Sequence, residues 1–173
     1  GQKMSEMYEA VKQEKYSTAA EKLKIALEYT SKKKDRIRYT FILGQLYAEM
    51  DSVKLANKYF SKVLKMTAPY DFEFNASLYL ARAYDANDQS AVKRVRRSLK
   101  RMLRDDKNDG FYDQIWFELG NLELKEKNIP AAIKAYKMAS NVQGKNQNQK
   151  ALAYLALGNI YLDLPDYKLA QAY

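Results

Sequence analysis

Four short phrases, Leu43-Gly44, Leu80-Ala81, Leu119-Gly120 and Leu157-Gly158, recur along the chain at leucine intervals of 37, 39 and 38 residues. Each lies in an apolar helical stretch, and each is followed by a second such stretch beginning near Ala56, Ala91, Ala132 or Ala170. A helical hairpin cannot hide its apolar face alone, so a fixed period of this length predicts a solenoid of stacked hairpins without one central core.

The fourth repeat shows the physical logic best. Trp116, Leu119 and Gly120 share one helix face at spacings of three and four. A polar break follows at Lys127-Asn128, and Pro130 stands where a first helical turn tolerates it. Ala132, Tyr136 and Ala139 then mark the second helix. Small residues at Gly120 and Ala132 let two antiparallel helices approach, and the large Trp116 and Tyr136 fill the space alongside. The second repeat carries Leu43, Gly44, Tyr47, Ala56 and Phe60; the fifth carries Tyr154, Leu157, Gly158, Tyr161 and Ala170. The first is visible mainly as a second helix, through Ala19, Leu23 and Ala26. In the third, seven residues separate Tyr84 from Ala91 where nine separate Tyr47 from Ala56, which predicts a tighter turn between its helices. Glu123 stands where the other repeats have an aromatic ring.

This joint pattern resembles the tetratricopeptide repeat, in which Trp, Leu-Gly, Tyr, Ala, Phe or Tyr and Ala recur through a helix-turn-helix. The expected fold is all-α, a right-handed superhelix of about five hairpins spanning roughly 3–31, 35–68, 71–106, 110–144 and 147–173, the last incomplete. The whole chain then forms one repeat domain. Gly1, and a helical pattern still running at Tyr173, predict a piece of a longer protein.

The wording between the repeat positions carries a narrower resemblance. Arg38-Tyr39-Thr40-Phe41-Ile42-Leu43, Pro69-Tyr70 with Phe74-Asn75-Ala76, Asp113-Gln114-Ile115, Gln149-Lys150-Ala151-Leu152 and Pro165-Asp166-Tyr167 with Ala170-Gln171-Ala172-Tyr173 follow one another in order. They resemble the PorW/SprE family, tetratricopeptide lipoproteins of the type IX secretion and gliding machinery of Bacteroidetes. The resemblance implies a scaffold at the periplasmic face of the outer membrane, with secretion-machinery components as partners. Its lipid anchor would lie upstream of this chain.

Composition narrows the chemistry. Cysteine and histidine are both absent, so no thiolate, imidazole base or disulfide is available. The acidic pair Asp105-Asp106 sits at a helix end among basic neighbours, unlike a desolvated catalytic pair. A noncatalytic protein without metal or cofactor is expected. No run approaches the roughly 18 apolar residues that cross a bilayer.

Two surfaces could carry binding. The residues two before and two after each repeat leucine lie one helical turn apart on the inward face: Phe41 and Gln45, Leu78 and Arg82, Phe117 and Asn121, Leu155 and Asn159. An apolar row beside three amides and one guanidinium suits an extended segment or a helix of a partner protein. Converging cations for clamping a chain-terminal carboxylate are missing from that row.

The second surface is electrostatic. Net charge is +9, from 30 basic and 21 acidic residues. Residues 91–104 hold seven Lys or Arg and no acid, and Lys32, Lys33, Lys34, Arg36 and Arg38 make another cluster. On the first of these helices Val92, Val95, Leu99 and Leu103 form the expected buried stripe. Lys93, Arg97, Lys100, Arg101 and Arg104 form an outward one. Such a stripe could meet anionic lipid, an acidic protein or nucleic acid, although no aromatic side chain interleaves with it for base stacking. Most of the fifteen tyrosines, including Tyr47, Tyr84, Tyr136 and Tyr161, fall at repeat positions that pack between helices, which argues against a carbohydrate platform. The leading expectation is a protein-interaction scaffold of the secretion machinery. The alternatives are a cytoplasmic peptide-binding adaptor, or a module that meets an anionic membrane or nucleic acid through the basic helix.

Overall fold

The structure, a computed structural model, describes residues 2–141 and 146–163. The fifth repeat's second helix, expected near Ala170, and the phrase from Pro165 to Tyr173 lie outside the described residues. Every element among those described is helical: α1 (Gln2–Tyr29), α2 (Lys33–Glu49), α3 (Val53–Lys65), α4 (Tyr70–Arg82), α5 (Gln89–Met102), a 3-10 turn (Asp106–Phe111), α6 (Tyr112–Lys125), α7 (Ile129–Asn141) and α8 (Gln147–Asp163). No helix among them is long and apolar enough to cross a membrane. The chain divides into two compact units, Gly1–Ala83 and Tyr84–Tyr173, so the boundary falls inside the third repeat.

In the N-terminal unit α1 packs on α2, α2 on α3, and α3 on α4. Leu43, Tyr47, Ala56, Phe60 and Val63 form its centre. The α2–α3 turn is closed by Ser52 N–H to the Tyr47 carbonyl at 2.8 Å and Asp51 N–H to the Ala48 carbonyl at 2.9 Å, with Asp51 at φ 55°. In the C-terminal unit the α6–α7 turn repeats this geometry. Asn128 N–H meets the Glu123 carbonyl at 2.9 Å, Lys127 N–H meets the Leu124 carbonyl at 3.0 Å, and Lys127 has φ 58°. These are the bonds of a left-handed helix C-cap. The glycines share a role too. A Cβ on Gly44 would lie 2.9 Å from the Phe60 ring, and one on Gly120 would lie 2.6 Å from the Tyr136 ring. In both hairpins the missing side chain makes room for an aromatic ring sixteen residues later.

Two expectations need correction. The first repeat is not a hairpin: α1 runs unbroken from Gln2 to Tyr29, because nothing in that stretch interrupts it with glycine or proline. The third repeat's turn is longer, not tighter. Its first helix stops at Arg82, and six residues precede α5 where three join α2 to α3. The cause is local. Asp85 Oδ1 accepts from Asn87 N–H at 2.9 Å, and Asp88 Oδ1 accepts from Ser90 and Ala91 N–H at 2.9 and 3.2 Å. Side chains of this kind offer the backbone a competitor to helix and cap the next one.

Candidate functional site

In the N-terminal unit the structure gathers all four predicted groove residues around one hollow of about 330 Å³: Phe41 and Gln45 from α2, Leu78 and Arg82 from α4. Phe41 is held edge-on against Phe60 (5.4 Å between ring centres) and against Phe72 (5.2 Å), and Phe60 stacks on Tyr79 at 4.3 Å. The aromatic wall is therefore rigid. Leu78 is 3% exposed and forms floor, not a protruding anchor. Gln45 and Arg82 are exposed at the rim. Asn57 on α3 donates through Nδ2 to the Ala83 carbonyl and so fixes the end of α4 beside Arg82. Sequence reasoning missed three lining residues, Phe60, Asn75 and Tyr79. Asn75 was within reach, because it lies three and seven residues before Leu78 and Arg82 on the same helical face.

The corresponding residues of the C-terminal unit are in a different state. Asn121 is already engaged: its Oδ1 accepts from the Tyr136 hydroxyl at 2.7 Å, and its Nδ2 donates to Glu118 Oε2 at 3.2 Å. Phe117 tilts against the Tyr136 ring at 5.5 Å. Burial, and then the Glu118 charge, push the Tyr136 phenol up to about 12. Asn121 is thus a buttress of the hairpin and not an open amide for a partner's backbone. On α8 Leu155 is 62% exposed and Asn159 is exposed, while Ala153, Leu157 and Ile160 supply the buried face.

The basic helix α5 sorts its charges. Val92, Leu99 and Met102 are buried, with Val95 and Leu103 only half so; Met102 takes the place expected of Leu103. Arg94 Nη1 donates to Ser90 Oγ at 2.9 Å, and the guanidinium lies 3.7 Å from Asp88. Arg96 turns inward, its Nε 2.6 Å and its Nη2 3.2 Å from the two carboxylate oxygens of buried Glu123. That bidentate bond raises the Arg96 pKa further and accounts for an acid at a position that is aromatic elsewhere. Lys93, Arg97, Lys100, Arg101 and Arg104 are exposed. The last four, with Arg94 and Ser98, border an open hollow of about 570 Å³. Among the described residues no group of three or more carboxylates is placed to hold a metal ion. Asp105 serves as a cap, its Oδ1 accepting from Lys107 N–H at 3.1 Å.

No protein-family model matches the chain, and no curated protein matches it.

Proposed function

We propose that this chain is a noncatalytic protein-interaction scaffold whose partner segment seats on the α2–α4 hollow of the N-terminal unit. The observation that carries the reading is the convergence of Phe41, Gln45, Leu78 and Arg82 on one concavity. A preformed aromatic wall with a polar rim buries an apolar side chain while the rim amide and guanidinium meet its backbone. The repeat spacing supports the finer reading, a right-handed superhelix of tetratricopeptide-like hairpins. The phrases shared with the PorW/SprE family support a place in type IX secretion at the periplasmic face of the outer membrane.

The test is a pull-down from solubilised Bacteroidetes envelope at physiological salt, read by mass spectrometry. The wild type runs beside Gln45→Lys/Arg82→Glu and beside Arg97→Glu/Arg101→Glu. Secretion-machinery proteins retained by the wild type and lost with the first variant support the reading. Loss only with the second moves the site to α5, whose five exposed cations favour an acidic surface as the second reading. Retention of no envelope protein by the wild type removes the secretion assignment.

A further inference from the structure

The second basic cluster of the sequence, from Lys32 to Arg38, is divided by the fold. Arg36 turns back to α1, where Nη1 donates to the Leu27 and Thr30 carbonyls at 3.0 Å each, so it caps that helix. Lys33, Lys34 and Arg38 instead border a separate pocket of about 440 Å³ within the N-terminal unit, together with Ile37, Thr67, Pro69 and Phe72. Ile37 is 4% exposed and Phe72 half-buried, so the floor is apolar. Phe72 cannot retreat freely, because its ring stands edge-on to Phe41. The rim carries three cations, no carboxylate lines the pocket, and none among the described residues is paired with them. The rim also includes Lys33 and Lys34 of the first turn of α2; Asp35 of the same turn is half-buried and does not line the pocket.

The geometry points to a docking pocket for an acidic peptide segment of a partner protein, with a large apolar side chain on the floor and flanking carboxylates on Lys33, Lys34 and Arg38. The volume lies in the roughly 300–1,000 Å³ range of pockets that enclose an anchor group. The layering selects the occupant. A bilayer presents its phosphates outermost and its acyl chains beneath, the reverse of a recessed apolar floor under a cationic rim. A nucleotide base would bring polar edges against Ile37 and Pro69, which leave them unpaired. An aromatic or aliphatic side chain between acidic neighbours meets both layers at once. This pocket stands independently of the α2–α4 hollow.

The experiment is fluorescence anisotropy of the whole chain with a fluorescein-labelled Asp-Asp-Phe-Asp-Glu peptide, blocked at both ends. Its competitors are unlabelled peptides with Phe replaced by Ala or with every acid replaced by its amide. Saturable binding is expected. Each altered peptide, and the surface variant Lys34→Glu/Arg38→Glu, should be weaker by about tenfold or more, as for loss of a charged hydrogen bond or a buried anchor. The Arg97→Glu/Arg101→Glu variant, which alters no residue lining the pocket, should stay within about twofold of wild type. Circular dichroism checks that both variants keep their helix. The proposal is overturned by no saturable binding up to about 1 mM, by indifference to the Phe→Ala change, or by equal loss in both charge variants. It is also overturned if an oligothymidylate or phosphatidylserine vesicles displace the peptide from Lys34 and Arg38 more effectively than the unlabelled peptide does.

Discussion

Replacing Gly120 by alanine tests the packing argument, because two opposing effects of known size meet at that position. Glycine inside a helix costs about 1 kcal/mol relative to alanine, so the change in α6 alone should stabilise. A Cβ there, however, would lie 2.6 Å from Cε1 and 2.7 Å from Cδ1 of Tyr136, where carbon atoms normally sit about 3.5–4.0 Å apart. The ring has nowhere to go. It is 1% exposed, its hydroxyl is held by Asn121 at 2.7 Å, and Phe117 lies against it. Overpacking of this kind costs about 1–3 kcal/mol, so the net change runs from near zero to about 2 kcal/mol of destabilisation. Gly158 in α8 is the control, since a Cβ there meets nothing within 4 Å among the described residues; Gly158→Ala should stabilise by about 1 kcal/mol. The two variants should therefore differ by about 1–3 kcal/mol. Urea unfolding read by fluorescence of Trp116, the chain's single tryptophan, measures the difference as a midpoint shift at constant slope. Adding Tyr136→Leu should make the alanine at position 120 harmless, a non-additivity that identifies the ring as its cause. If Gly120→Ala stabilises as much as Gly158→Ala, the ring does not occupy the space left by the missing side chain.

The Arg96–Glu123 pair should behave as a unit. Arg96→Met or Glu123→Gln alone should cost about 1–3 kcal/mol by leaving a charge short of its partner, while Arg96→Met/Glu123→Leu should recover most of that in thermal melts. The Tyr136 phenol titrates near 12 in the fold and near 10 in the unfolded chain, so the folded state keeps a proton that the unfolded state loses. Its contribution is complete below about pH 10 and is lost as pH rises through 12, by at most about 2–3 kcal/mol; Tyr136→Phe should remove that part of the alkaline decline in urea midpoints. Lys127→Gly should stabilise by about 0.5–1 kcal/mol, measured the same way. It relieves a left-handed residue at φ 58°, offset in part by glycine's greater freedom when unfolded.

The hairpins of the second and fourth repeats were legible because their signals are steric. A glycine and an aromatic ring sixteen residues apart specify a close helix crossing, and that crossing fixes which residue stands at the turn. The third repeat misled because residue spacing says how many residues separate two landmarks, not which of them stay helical. Asp85, Asn87 and Asp88 decided that through side-chain bonds to the backbone. The groove was legible where it depends on helical phase alone, as for Phe41 with Gln45 and Leu78 with Arg82. It was illegible at Asn121, because an amide facing a tyrosine on the next helix reads in sequence like one facing water.

Charge suffered the same blindness, with a larger consequence for function. Seven cations lie between residues 91 and 104, and nothing in a string of Lys and Arg says which are spent on the protein itself. Arg96 is spent on Glu123, while Val92, Leu99 and Met102 supply the buried apolar face of the same helix, and Gln89 Nε2 donates to Glu126 Oε2 at 3.3 Å. Arg94 is tied to Asp88 and Ser90. Five cations remain to meet a polyanion. Each one neutralised on duplex nucleic acid contributes about 0.9 to the slope of log affinity against log salt, so these five, four on α5 and Arg104 just beyond it, support a slope of about 4.5 in magnitude, where the sequence count would allow about 6.3. A steeper measured slope would require cations from outside this set, and within the C-terminal unit Lys125, Lys127, Lys134 and Lys137 are also exposed.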